Sequence, residues 1–153
     1  MNKKYIYGIL TAIWIGVIFS FSLQIADKST MLSDGVGELI LENTSSQLLE
    51  ESSLWGEMEW KLFHTVIRKC GHFAEFFVLG ILMILTIKQT NVHHKRMISV
   101  FLCVLVASVD ETIQLFVPGR AGMIADVILD SVGSVMGLMT LLFVGKLWRK
   151  KNE

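Results

Sequence analysis

Residues 5–23 read YIYGILTAIWIGVIFSFSL, 19 residues without a charge, directly after Lys3 and Lys4. A helix rising about 1.5 Å per residue needs about 20 apolar residues to cross the hydrocarbon core of a bilayer, so this stretch has the length of a membrane span. No small-x-small cleavage site follows before the polar residues begin, and the run exceeds the usual apolar core of a secretory leader. That predicts a retained helix. Three further apolar blocks lie at about 70–87, 97–117 and 124–144, each long enough to span with modest tilt. The whole chain of 153 residues is 52% hydrophobic and 18% charged, with one proline, which excludes a disordered or nucleic-acid-coating protein. The expected fold class is all-α: one integral membrane four-helix bundle over residues 1–153.

Net charge is zero, with 14 bases and 14 acids, so the placement of charge carries the information. Lys3 and Lys4 precede the first block, Lys88, Lys95 and Arg96 lie between the second and third, and Lys146, Arg149, Lys150 and Lys151 follow the fourth. Alternating spans place all of these on one side, and the excess of bases marks that side as cytoplasmic. The expectation is a multi-pass protein of the cell membrane with both termini inside and an acidic external loop at 24–69. Within that loop, Leu54, Trp55, Met58, Leu62 and Phe63 recur at helical spacing, which predicts an amphipathic segment lying at the interface before the second span.

Ionisable residues inside spans are costly unless paired or wetted, which makes each a functional candidate. Lys69, His72 and Glu75 begin the second block with Arg68; Asp110, Glu111 and Gln114 end the third; Asp126 and Asp130 begin the fourth. All are external ends under the expected topology, as are Ser22 and Gln24 of the first block and Arg120 of the turn after Pro118. By helix rise, Glu75 lies roughly 7 Å below Cys70, and Glu111 and Asp130 roughly 9 Å below Val117 and Ile124. Three spans thus bring carboxylates to nearly one depth, which favours a shared site.

Spacing sets the facing as well. Asp110 and Gln114 are i, i+4 neighbours, and Asp126, Asp130, Ser134 and Gly137 run down one side of the last helix. Gly133 and Gly137 form a small-xxx-small pair that permits close helix approach. Five carboxylates (Glu75, Asp110, Glu111, Asp126, Asp130) face Arg68, Lys69 and Arg120, an excess of negative charge that predicts a bound proton or a bound cation. Asp126 with Asp130 offers oxygen ligands for a divalent cation such as Mg²⁺ or Ca²⁺. The competing reading is that interlocked charges fix helix register and perform no chemistry. His64, His93 and His94 sit in polar surroundings and read as surface groups. Cys103 lies too deep to pair with Cys70. The triplet Asn43, Thr44, Ser45 matches a glycosylation acceptor only as chance would supply.

Residues 69–76, KCGHFAEF, resemble the K-x-x-H-F-x-E-Y element of the VanZ-like membrane proteins. Asp110-Glu111-Thr112-Ile113-Gln114, then Pro118-Gly119-Arg120 and Asp126, resemble their D-E-x-x-Q…PGR…D element, and residues 21–24 their Ser-Gln ending of the first span. Phe76 departs from the family's Tyr, and Asp130 stands where many members carry Asn. The resemblance implies low-level resistance to lipophilic glycopeptide antibiotics, teicoplanin in particular, and leaves the biochemical activity open. Two mechanisms compete. In the first, an outward-facing polar site binds or modifies a membrane lipid or lipid-linked cell-wall precursor. Candidate catalytic groups there are His72, Glu75, Asp110, Glu111 and Asp126; candidate binding groups are Lys69, Gln114, Arg120, Asp130, Ser22 and Gln24. In the second, a non-catalytic protein binds or excludes the antibiotic and its charged cluster is structural. A transporter is disfavoured because the charges occupy one half of the spans rather than the midplane. No Cys/His zinc spacing or Gly-rich nucleotide loop is present, and no nucleic-acid partner is expected.

Overall fold

A computed structural model describes residues 3–23, 53–118, 120 and 122–152, without side chains for 3–4 and 53–61. Four helices, and no strand among the described residues, make up the architecture: α1 (Lys3–Ser22), α2 (Ser53–Lys88), α3 (Lys95–Gln114) and α4 (Ile124–Lys151). Each contains a stretch long and apolar enough to cross a membrane, within Tyr5–Ser22, Leu62–Lys88, Lys95–Gln114 and Ile124–Lys151. Ile9, Ile13, Phe101, Leu105, Ile128, Val132 and Phe143 point outward and are exposed, the surface that a lipid environment selects. The predicted all-α four-helix bundle is the observed fold.

The second helix starts earlier than the predicted span. The stretch 54–63, where an amphipathic segment before the second span is expected, is helical and continuous with that span: residues 53–88 form one uninterrupted α-helix. Gly56 and Gly71 lie within it and do not break it, and no proline is available to do so. Residues 24–52, the acidic part of the expected external loop, lie outside the described residues, as do the side chains of Trp55, Met58 and Trp60.

Because lipid is as apolar as leucine, helices in a membrane associate through close packing rather than hydrophobic transfer. The tightest seam joins the parallel pair α2 and α4. A Cβ at Gly133 would lie 2.7 Å from the Phe73 carbonyl oxygen; at Gly137 it would strike the Phe77 carbonyl, and at Gly80 the Ser134 carbonyl. The small-xxx-small pair on α4 therefore meets backbone, and Gly80 answers it from α2. α1 lies against α2 and α3 through Thr11, Ile18 and Ser22, the buried residues of its inner side. A core of Ile18, Phe76, Leu79, Met83, Cys103 and Ala107 fills the centre, and both cysteines are free thiols.

Two short connections hold the remaining helices antiparallel. Between α2 and α3, His94 adopts the left-handed conformation (φ 56°, ψ 41°), and Lys95 Nζ donates to the Lys88 carbonyl oxygen at 3.0 Å, occupying an end carbonyl of α2. Between α3 and α4, successive turn bonds run from Phe116 N to Ile113 O (3.0 Å), Val117 N to Gln114 O (3.1 Å) and Arg120 N to Val117 O (3.1 Å). Gly122 passes so close to the Glu111 carbonyl that a side chain there would collide with it. This turn closes the distal end of the bundle, the end away from both termini.

Candidate functional site

At the distal end, polar residues on three helices converge: α3 and α4 carry theirs within two turns of their connecting turn, and α2 presents His72 opposite them. α2 supplies His72, α3 supplies Asp110, Glu111 and Gln114, and α4 supplies Asp130. His72 Nδ1 lies 3.9 Å from Asp110 Oδ2 and 3.9 Å from Asp130 Oδ2, while the His72 side chain is 15% exposed and both aspartates are fully buried. These separations exceed hydrogen-bond length, so the three groups face one another without bonding. One ligand-capable atom from each of His72, Asp110, Glu111 and Asp130 falls within 4.8 Å of the others.

Gln114 organises the cluster. Its Nε2 donates to Asp110 Oδ2 at 3.1 Å and Glu111 Oε1 at 3.1 Å, and lies 3.4 Å from Ser22 Oγ, which brings α1 to the same point. The opposite oxygen of Glu111 accepts the Met123 backbone N–H at 2.9 Å, tying the α3–α4 turn to the site. Arg120, carried by that turn, is half-buried. Burial is the main influence lowering its pKa, with the Arg68 charge acting in the same direction, while Asp110, Glu111 and Glu75 oppose the shift. A guanidinium nonetheless stays charged, so Arg120 contributes one fixed positive charge beside the carboxylates.

The other expected site residues lie around this cluster. Asp126 does not join Asp130 as a cation pair: it is one turn nearer the helix start, where Lys69 of α2 reaches it and forms an ion pair at the rim. Lys69 is consequently engaged by a carboxylate and is not a free base for phosphate. Glu75 is half-buried one turn deeper than His72, within electrostatic reach of Asp110 and Arg120. Ser22 is buried beside Gln114 and Asp110. Gln24 lies outside the described residues. Phe76, the departure from Tyr, is fully buried in the apolar core, where its ring packs without any need for a hydroxyl.

Two contributors escape a reading of side-chain types. The Met123 donor is a backbone group at the start of α4, one of the unpaired N–H groups that every helix start leaves. Trp14, in the middle of the charge-free first block, donates its Nε1 to the Glu75 carbonyl oxygen at 2.9 Å. Its position four residues before Ile18 and eight before Ser22 places it beside the inner side of α1, a signal present in the spacing.

No curated protein and no solved structure matches the chain. A family model described as VanZ/LLP1 matches residues 7–145, which span all four helices and every described residue of the distal cluster. This chain, a multi-pass membrane protein, belongs to the VanZ/LLP1 family.

Proposed function

We propose that the protein contributes to low-level resistance to lipophilic glycopeptide antibiotics such as teicoplanin through a polar site that faces the outside of the cell membrane, both termini being cytoplasmic. The site binds or modifies a membrane lipid or a lipid-linked cell-wall precursor. One observation carries this reading: His72, Asp110, Glu111 and Asp130 are brought together below the membrane end with atoms left unbonded, next to Arg120. Such a group of charges is expensive to hold in a bilayer. Arg120 supplies the donor fork that a phosphate-bearing head group needs, and His72 with Glu75, Asp110 or Glu111 supplies groups able to give and take a proton. Asp126 and Lys69 act at the rim by positioning α2 against α4.

A second reading keeps the cluster structural and assigns the protein to binding or excluding the antibiotic, whose acyl chain enters the outer leaflet. The observation in its favour is the bonding of Gln114, Met123 and the Lys69–Asp126 pair, which ties helices together as a scaffold would. The two readings part in one experiment. Glu75→Gln, Glu111→Gln and Asp126→Asn variants are expressed in a teicoplanin-sensitive host, with membrane abundance and the inhibitory concentration measured together. The first reading expects Glu75→Gln and Glu111→Gln to return the cells to the sensitivity of the empty host at unchanged abundance. Full resistance in all three, with teicoplanin bound by the purified protein, overturns it in favour of the second.

A further inference from the structure

Five buried atoms of the distal site have no hydrogen-bond partner: His72 Nδ1, Asp110 Oδ1, both oxygens of Asp130, and Arg120 Nε. Asp110 and Asp130 are completely buried, and an acidic side chain so placed is among the costliest groups a protein can hold unless something positive meets it. Arg120 places a positive charge within electrostatic reach of Asp110 and Glu111, yet none of these carboxylate and imidazole atoms bonds to it. His72 Nδ1 lies 3.9 Å from the unpartnered Oδ2 of Asp130 and 3.9 Å from Oδ2 of Asp110, the oxygen that Gln114 holds.

We propose that His72, Asp110, Glu111 and Asp130 bind one divalent metal ion, held between α2, α3 and α4. Their ligand atoms lie within 4.8 Å of one another. An ion with bonds of about 2.1 Å keeps adjacent ligands about 3 Å and opposite ligands about 4.2 Å apart, so small side-chain rotations close the set. One imidazole nitrogen with three carboxylate oxygens suits a borderline first-row ion, Mn²⁺ or Zn²⁺, better than Mg²⁺ or Ca²⁺, which take oxygen ligands. The outer shell is already in place: Gln114 holds one oxygen of Asp110 and one of Glu111, and Met123 N–H holds the other oxygen of Glu111. Groups of this kind orient metal ligands and raise affinity. Charge closes as well, since three carboxylates, a divalent ion and the Arg120 guanidinium sum to zero. Asp126 is outside the set, being paired with Lys69.

With the ion bound, His72, Asp110 and Glu111 serve as ligands and Glu75, outside the set, remains the group able to give and take a proton; the inference is tested without an activity assay. The full chain is purified in detergent, stripped with EDTA, and dialysed against Zn²⁺ or Mn²⁺ with metal content and thermal unfolding measured. The expected result is one tightly held ion per chain and a melting temperature raised by ~5 °C or more at saturating metal. The conservative variants His72→Gln and Asp130→Asn, checked for helix content, should weaken binding at least tenfold, and Asp126→Asn should keep the full complement. Absence of a stoichiometric ion in the unmodified protein, or equal binding by the His72→Gln/Asp130→Asn double variant, overturns the proposal. Loss of the ion in Asp126→Asn alone, with His72→Gln unaffected, overturns the assigned ligand set.

Discussion

Near the termini, Thr11 of α1 and Thr86 of α2 pair their hydroxyls at 2.8 Å, and Ser99 of α3 returns its hydroxyl to the Lys95 carbonyl oxygen at 2.8 Å. At the distal end the same helices bury an imidazole and three carboxylates, four of whose atoms find no partner. The first arrangement is what a membrane helix does with a polar residue when stability is the only demand: a neutral group, satisfied locally. The second is built at a cost in stability. Charge at the terminal end stays at the surface, where Arg96, Lys146, Arg149 and Lys150 line an open groove floored by Met139, Leu142 and Phe143. The contrast teaches that, among the described residues, burial of charge is confined to the end where the family's motif residues meet.

Both ends hang on the α2–α4 seam, so the largest effect should come from there. Gly137→Val forces a side chain into the Phe77 carbonyl and should cost about 3 kcal/mol, read as loss of folded protein during thermal unfolding in detergent. Next comes Gln114→Leu, which leaves oxygens of Asp110 and Glu111 without their donor; about 2 kcal/mol of destabilisation is expected by the same measurement. Asp130→Asn should act in the opposite direction. Neither of its oxygens has a hydrogen bond to lose, so in EDTA the neutral amide should leave stability unchanged or raise it by about 1 kcal/mol. A clear fall would mean that the distal charges stabilise the fold, and the contrast between the ends would fail. Thr11→Val at the terminal end removes the cross-helix bond with Thr86 and the return bond to the Tyr7 carbonyl oxygen, and should cost only about 0.6 kcal/mol.

Much of this was legible in the sequence because a bilayer reads length and charge directly. Four charge-depleted blocks became four helices, and the depth of Glu111 and Asp130 along their helices brought them to one level. Gly133 and Gly137 met a neighbouring backbone as their spacing implied. What could not be read is which charge takes which partner. Asp126 and Asp130 share one side of α4, and only the position of Lys69 across the seam decides that the first is paired and the second is not. Helix starts are also poorly marked in a chain with one proline. The helical spacing of residues 54–63 was legible, but nothing in it told that this stretch joins the second span without a break, as α2 does from Ser53. Backbone donors such as Met123 N–H carry no side-chain signal.

Everything functional here requires the distal end to face the outside of the cell, and impermeant thiol labelling of intact cells tests that most directly. Cys103 is buried, so a Cys70→Ser background leaves a quiet chain into which Met123→Cys, at the distal turn, or Val92→Cys, at the terminal end, is introduced; both positions are exposed. The account predicts that the Met123→Cys protein is labelled in intact cells and the Val92→Cys protein only after the membrane is opened. Labelling of Val92→Cys in intact cells, with Met123→Cys protected until lysis, would contradict it.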